Sequence, residues 1–210
     1  MPRLTLREPW LVMDLGPPHQ VAGWPIVGPA WGMASRIVWL QVKDADLPPG
    51  IEPEAYFGSR AKADGVTVEI GLMTAAEISL HACERAGLVT AVVTAGLTNG
   101  ESVEPATLAR PAEAWRAGTV NTVLHSAVPL TQGALFEAIS IAAEARTAAI
   151  LDLGLTLADG RKLSGTGTDC IVVAAPSGPN AEKHCGLHTE IGRRIGETVY
   201  RATRRAITPP

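Results

Sequence analysis

The segment Ser164-Gly-Thr-Gly-Thr-Asp169 concentrates more chemistry than any other stretch of the sequence. Gly165 and Gly167 let the backbone approach a ligand closely, and Ser164, Thr166, Thr168 and Asp169 add three hydroxyls and a carboxylate to the same short arch. Successive N–H groups in such a loop form a concave array suited to an oxyanion, a phosphate or an amide carbonyl. A tight turn before a strand, with Asp169 accepting from local amides, explains the same residues without any ligand. Neither G-x-x-x-x-G-K-S/T nor G-x-G-x-x-G occurs, so a nucleotide loop lacks its usual sequence support.

A second candidate is Gly186-Leu-His188-Thr189, at the start of a helix. Free N–H groups and the positive dipole end there disfavour a protonated imidazole, which would leave His188 available as a base near neutral pH. Thr189 as a helix cap, with His188 filling surface space, is the plain alternative. His184-Cys185-x-x-His188 also has metal-ligand residue types, but Gly186 places His184 before the helix begins, so the two histidines need not share a face. Glu144 stands in a small, apolar helical stretch, where burial would raise its pKa; a solvated, ion-paired face explains it equally. Asn99 and Asn121 are amides near strand ends, suited to recognising carbonyl and amide groups or to forming turns. Four of the five tryptophans, Trp10, Trp24, Trp31 and Trp39, fall early in the chain and could floor a pocket for a flat ligand or fill the core.

These residues need elements to hold them. Alternating apolar stretches predict strands over 11–15, 36–42, 66–73, 88–96, 119–126, 153–157 and 170–175, with Asp159-Gly160 turning between the last two. Thr74-Ala-Ala-Glu77 fits a capping box and predicts a helix from Thr74 to about Gly87. A second helix runs from the cap Thr131 to Leu151. A third is marked by Leu187, Ile191, Ile195 and Val199, with arginines opposite. Residues 48–65 and 98–110 are expected to be long loops, of the kind that serve as lids, binding loops or plain insertions. Strand pairs followed by a helix predict an α/β fold, with a mixed β-sheet and packed helices in a single layered domain over 1–210.

Composition narrows the function. Eighteen basic against 21 acidic residues give a net charge of −3, without the basic face that a nucleic-acid partner requires. Three cysteines, an odd and sparse set, fit a reducing compartment. No apolar run approaches the roughly 20 residues of a membrane span, and Glu8 and Asp14 interrupt any signal-peptide pattern. The expected location is cytoplasmic, with neither nucleic acid nor membrane as partner. The Ala-rich helix would tolerate a close subunit contact, which leaves a homo-oligomer open.

Six segments in order carry a family resemblance: Gly71-Leu-Met-Thr-Ala-Ala76, Val93-Thr-Ala-Gly-Leu-Thr-Asn99, Gly118-Thr-Val-Asn121, Ala143-Glu-Ala-Arg-Thr-Ala-Ala149, Thr166-Gly-Thr-Asp169 and Gly186-Leu-His-Thr-Glu-Ile-Gly192. Together, over residues 66–200, they resemble the adenosylcobinamide amidohydrolases. Arg146 stands where that pattern has a lysine, and 23–32 depart from its Ser- and Gly-Gly-containing loop. The resemblance implies hydrolysis of the amide joining aminopropanol, or its phosphate, to a corrin ring, giving adenosylcobyric acid. Cobalt would arrive with the substrate, so no protein-held metal or cofactor is implied.

On that basis Asp169 or Glu144 is expected as general base, with His188 orienting water or protonating the amine. Gly165, Thr166, Gly167 and Thr168 would hold the oxyanion, and Asn99, Thr119, Asn121 and Thr74 would bind substrate. Thr166 or Thr168 could instead act covalently. Three rival functions are a corrinoid-binding protein without hydrolysis, a phosphate- or nucleotide-handling enzyme built on the Gly/Thr loop, and a purely structural partner protein.

Overall fold

The computed structural model describes residues 1–105 and 118–208; the end of the loop expected over 98–110 lies outside them. In chain order the strands are β1 (Arg3–Arg7), β2 (Trp10–Gly23), β3 (Trp31–Gln41), β4 (Ile70–Thr74), β5 (Ala82–Ala86), β6 (Val89–Ala95), β7 (Gly100–Glu101), β8 (Val120–Ser126), β9 (Gly165–Thr166) and β10 (Cys170–Pro176). The helices are α1 (Pro53–Ala63), α2 (Gln132–Leu151) and α3 (Glu190–Ile207). Eight strands form one mixed sheet in the order β4-β3-β2-β10-β8-β6-β5, with β1 beside β2. β8 and β10 are parallel, as are β3 and β4, and the other pairs are antiparallel. The expected mixed α/β architecture is present.

Alternation along the strands sorts side chains onto two faces. Ala91, Val93, Val120, Leu124, Ile171 and Val173 pack with Ala138, Ile195 and Val199 under α2 and α3. The opposite face closes on itself: Leu11, Met13, Ile37, Trp39, Ile70 and Leu72 of β2–β4 share one buried cluster with Val92, Val123, Val172 and Ala174 of β6, β8 and β10. The sheet therefore curls, and α1 covers the outside of its β2–β4 flank through Phe57 and Ala61. β2 is shared along its length, its first half pairing β1 and its second half pairing β10.

Both long helices begin at threonine caps. Thr131 Oγ1 accepts from the Ala134 N–H and Thr189 Oγ1 from the Gly192 N–H, each satisfying a donor the helix leaves free. No helix among the described residues is long and apolar enough to cross a membrane.

Three expectations fail locally. Thr74 begins no helix: its hydroxyl accepts from the Ala76 N–H in a tight turn, and 82–86 form β5, paired to β6 across Gly87-Leu88. Residues 53–63 are helical rather than loop. Residues 153–157 form no strand, and the Asp159-Gly160 turn closes only an isolated Thr156–Lys162 bridge. β1 was not expected at all.

Inside the curl, His19 and His125 are buried with their Nε2 atoms 3.3 Å apart. His19 Nδ1 lies 2.7 Å from the Pro17 carbonyl, which only accepts, so that nitrogen carries the proton. His125 must then donate from Nε2, leaving its buried Nδ1 without a partner among the described residues.

Candidate active site

Strand direction gathers the chemistry at one rim of the sheet. β6 ends where the antiparallel β8 begins, with Thr94 opposite Asn121. β10 starts alongside β8, with Cys170 opposite Asn121, so the 164–169 arch lies at the same rim. α2 returns from the far end and brings Arg146 to the arch. The curl adds the end of β4, where Asn121 Nδ2 donates to the Met73 carbonyl at 2.8 Å. Five of the six family-like segments thus meet here.

The arch is pinned by its own carboxylate. Asp169 Oδ1 accepts from the Val120 N–H at 3.0 Å and from the Thr166 hydroxyl; Oδ2 accepts from the Thr166 N–H at 3.1 Å and pairs with Arg146 at 3.1 Å. The two side chains are only 13% and 10% exposed. Four donors occupy the carboxylate, so it has no free lone pair with which to take a proton from water. Gly165 is required by this packing, since a Cβ there would sit 2.6 Å from Asp169 Oδ2. The two-residue ladder of β7 with β9, and the Gly167 N–H donating to the Asn99 carbonyl at 3.1 Å, fix the arch from the other side.

Beside the arch a cavity of about 130 Å³ opens between the end of β4 and the start of β8. Its polar wall carries Thr74, Thr119 and Thr168, and Ile26, Leu47 and Pro53 contribute apolar surface. The Thr119 and Thr168 hydroxyls are 2.6 Å apart, and Thr168 also donates to the Gly118 carbonyl at 3.1 Å. Asn121 and Thr94 face each other inside the curl, and Asn121 Oδ1 and Thr94 Oγ1 are buried with no partner among the described residues. Cys170 also lines the cavity; burial, followed by the Asp169 charge, pushes its thiol up to about 11, which keeps it protonated.

The remaining candidates lie elsewhere. Asn99 is buried against the arch. His188 is exposed at the start of α3, where the loop after β8 meets the loop before α3 through the Thr131 N–H to Glu182 bond. That is the opposite end of β8, roughly 20 Å away for a seven-residue strand. Glu144 is exposed and lines a separate groove between α2 and α3 with Leu187 and Tyr200. Two residues from Arg146 on a helix, it points away from the arch. The structure therefore does not bring Asp169, His188 and Glu144 together. The sixth segment caps α3: a Cβ on Gly192 would meet the Gly186 carbonyl oxygen at 2.1 Å.

Sequence reasoning passed over Thr94 and the role of Arg146. Thr94 carried a signal, because it continues the Thr90-Val92 face of β6 into what becomes a buried polar corner. Among the described residues no three His, Cys, Asp or Glu side chains cluster as metal ligands.

The family model for adenosylcobinamide amidohydrolase matches residues 2–209. The chain belongs to the adenosylcobinamide amidohydrolase family. It is accordingly an amide hydrolase. A protein of Methanosarcina mazei named adenosylcobinamide amidohydrolase is 31% identical over 189 residues, covering 84% of this chain and 86% of that one. An uncharacterised protein of Methanocaldococcus jannaschii is 37% identical over 92 residues, covering 43% of this chain and 36% of its own length. No solved structure matches the chain. The family match reaches well beyond 66–200, so the β2–β3 hairpin that contributes Ile26 to the cavity belongs to the family region as well.

Proposed function

We propose that this chain hydrolyses the amide joining aminopropanol, or its phosphate, to the corrin ring of adenosylcobinamide, releasing adenosylcobyric acid. The observation that carries the reading is a small cavity lined by the hydroxyls of Thr74, Thr119 and Thr168, to which three of the family-like segments contribute, at the rim where five of them meet. A volume of about 130 Å³ is close to the roughly 150 Å³ that admits benzene, which suits an aminopropanol arm and excludes a macrocycle.

The scissile amide enters with the arm. Asn121 Oδ1 accepts its N–H, an acceptor with no partner among the described residues. Water adds to the carbonyl carbon, the C–N bond breaks, and the departing nitrogen needs a proton. The Thr119–Thr168 hydroxyl pair meets that need by exchange, taking a proton from the attacking water as it gives one to the amine. Within the arch the Thr166 and Gly167 N–H groups are taken by Asp169 and Asn99, so stabilising the oxyanion falls to the Gly165 and Thr168 N–H groups. Asp169 and Asn99 act by holding that arch, Thr74 shapes the wall, and Thr168 takes part as a proton carrier rather than a nucleophile. Cobalt comes with the substrate and no protein-held metal takes part. The cytoplasm suits an exposed, unpaired Cys83.

Incubating the protein with adenosylcobinamide, with and without chelator, tests this by mass analysis for adenosylcobyric acid. Product is expected in both samples, and its absence from both would sink the reading. Thr119→Val and Thr168→Val are each expected to lower kcat by about a hundredfold.

A further inference from the structure

Resting on that reading, we infer that Trp24 is the surface on which the substrate's macrocycle lies while its arm occupies the cavity. The cavity admits only a small group, so most of a corrinoid must remain outside its mouth. Trp24 stands there. Its indole N–H donates to the Asp169 carbonyl at 2.6 Å, the residue between Thr168 and Cys170, both of which line the cavity. Two residues further along the same hairpin, Ile26 lines it too.

The ring is 46% exposed although its polar atom is satisfied by the protein, so what it offers to solvent is apolar surface. The other early tryptophans are used elsewhere. Trp39 is fully buried in the curl, Trp10 packs edge-on against Phe57, and Trp31 lies against Phe136 of α2. Trp24 alone among them touches the arch. Its backbone is equally fixed: the Trp24 N–H bonds the Ile171 carbonyl at 3.3 Å, and a Cβ on the preceding Gly23 would meet that same carbonyl oxygen at 2.1 Å. A ring held at both ends is a preformed platform, which recognises a large ligand at little ordering cost. The exposed Ile51, between Leu47 and Pro53 of the cavity wall, extends apolar surface on the α1 side of the mouth.

Equilibrium dialysis, read at the corrin's visible absorption, separates this inference from the hydrolytic reading. Adenosylcobyric acid carries the macrocycle without the arm and serves as the probe, with adenosylcobinamide beside it. Trp24→Ala and Trp24→Gln are each expected to weaken adenosylcobyric acid binding at least tenfold. The glutamine keeps a donor for the Asp169 carbonyl and guards against misfolding of the alanine variant. Trp24→Phe should stay within about threefold of wild type, and Thr168→Val should lower hydrolysis while leaving probe binding in place. Binding by Trp24→Ala and Trp24→Gln within twofold of wild type would overturn the platform even if hydrolysis is intact. Probe binding that depends on Trp24 in a protein without hydrolysis would overturn the reaction and leave the platform standing.

Discussion

Asp169 shows why a carboxylate in a site is not thereby a base. Its four donors make it an anchor, and Arg146 is the charge that balances it. Replacing Asp169 by Asn leaves the Arg146 guanidinium without its carboxylate in a nearly buried setting, which typically costs about 3 kcal/mol or more. Asp169→Asn should therefore lower the urea midpoint together with activity. A variant that kept its midpoint and lost only kcat would restore the general-base role. His125 gives a second expectation at this scale. Burial, then the charges of His19, the N-terminus and Arg85, depress its pKa from 6.5 to about 4. Below pH 6.5 the unfolded chain takes up a proton that the folded protein refuses, so stability falls with falling pH and the loss is nearly complete at pH 4. The full effect is about 3 kcal/mol. Urea melts between pH 4 and 7.5 should show that slope, and His125→Asn should flatten it.

Among the elements, α2, α3 and the central strands were legible because their apolar periods are long and their caps explicit. Thr131 and Thr189 cap where the sequence placed them. α1 was not, since Pro48-Pro49-Gly50 and Gly58 outweigh the real signals, Pro53 at a first helical position and the Phe57/Ala61 pair. The Thr74 segment misled for a different reason. A Thr followed three residues later by Glu suits a tight turn as well as a capping box, and pairing of 82–86 with β6 decided the outcome. The site divides in the same way. The Gly/Thr arch announced itself by composition, whereas the separation of His188 from Asp169 depends on strand direction, which no local pattern records. If the 186–192 segment is structural, Gly192→Ala should cost at least 1–3 kcal/mol of stability by crowding the Gly186 carbonyl, with kcat per folded molecule retained. A selective loss of kcat in a protein of normal melting temperature would return His188's segment to the chemistry.

For the molecule as a whole, the cavity lies on a seam. β4 and β8 are not paired in the sheet and meet at this rim through the Asn121 side chain. A ligand seated there ties the two flanks of the curl together and, at a hundred times its Kd, should stabilise the fold by about 2.7 kcal/mol. Hydrogen exchange should slow at 70–74 and 119–123 on adding adenosylcobyric acid, and the α2–α3 groove should not respond. Equal protection in both regions, or in the groove alone, would move the ligand to the groove. The sharing of β2 has a consequence in time. Its second half pairs with β10, about 150 residues later in the chain, so a nascent chain carries an unsatisfied strand edge until β10 has been made. Trp24 and the arch are brought together by that same late pairing, so after dilution from denaturant catalytic competence should be the last property to return.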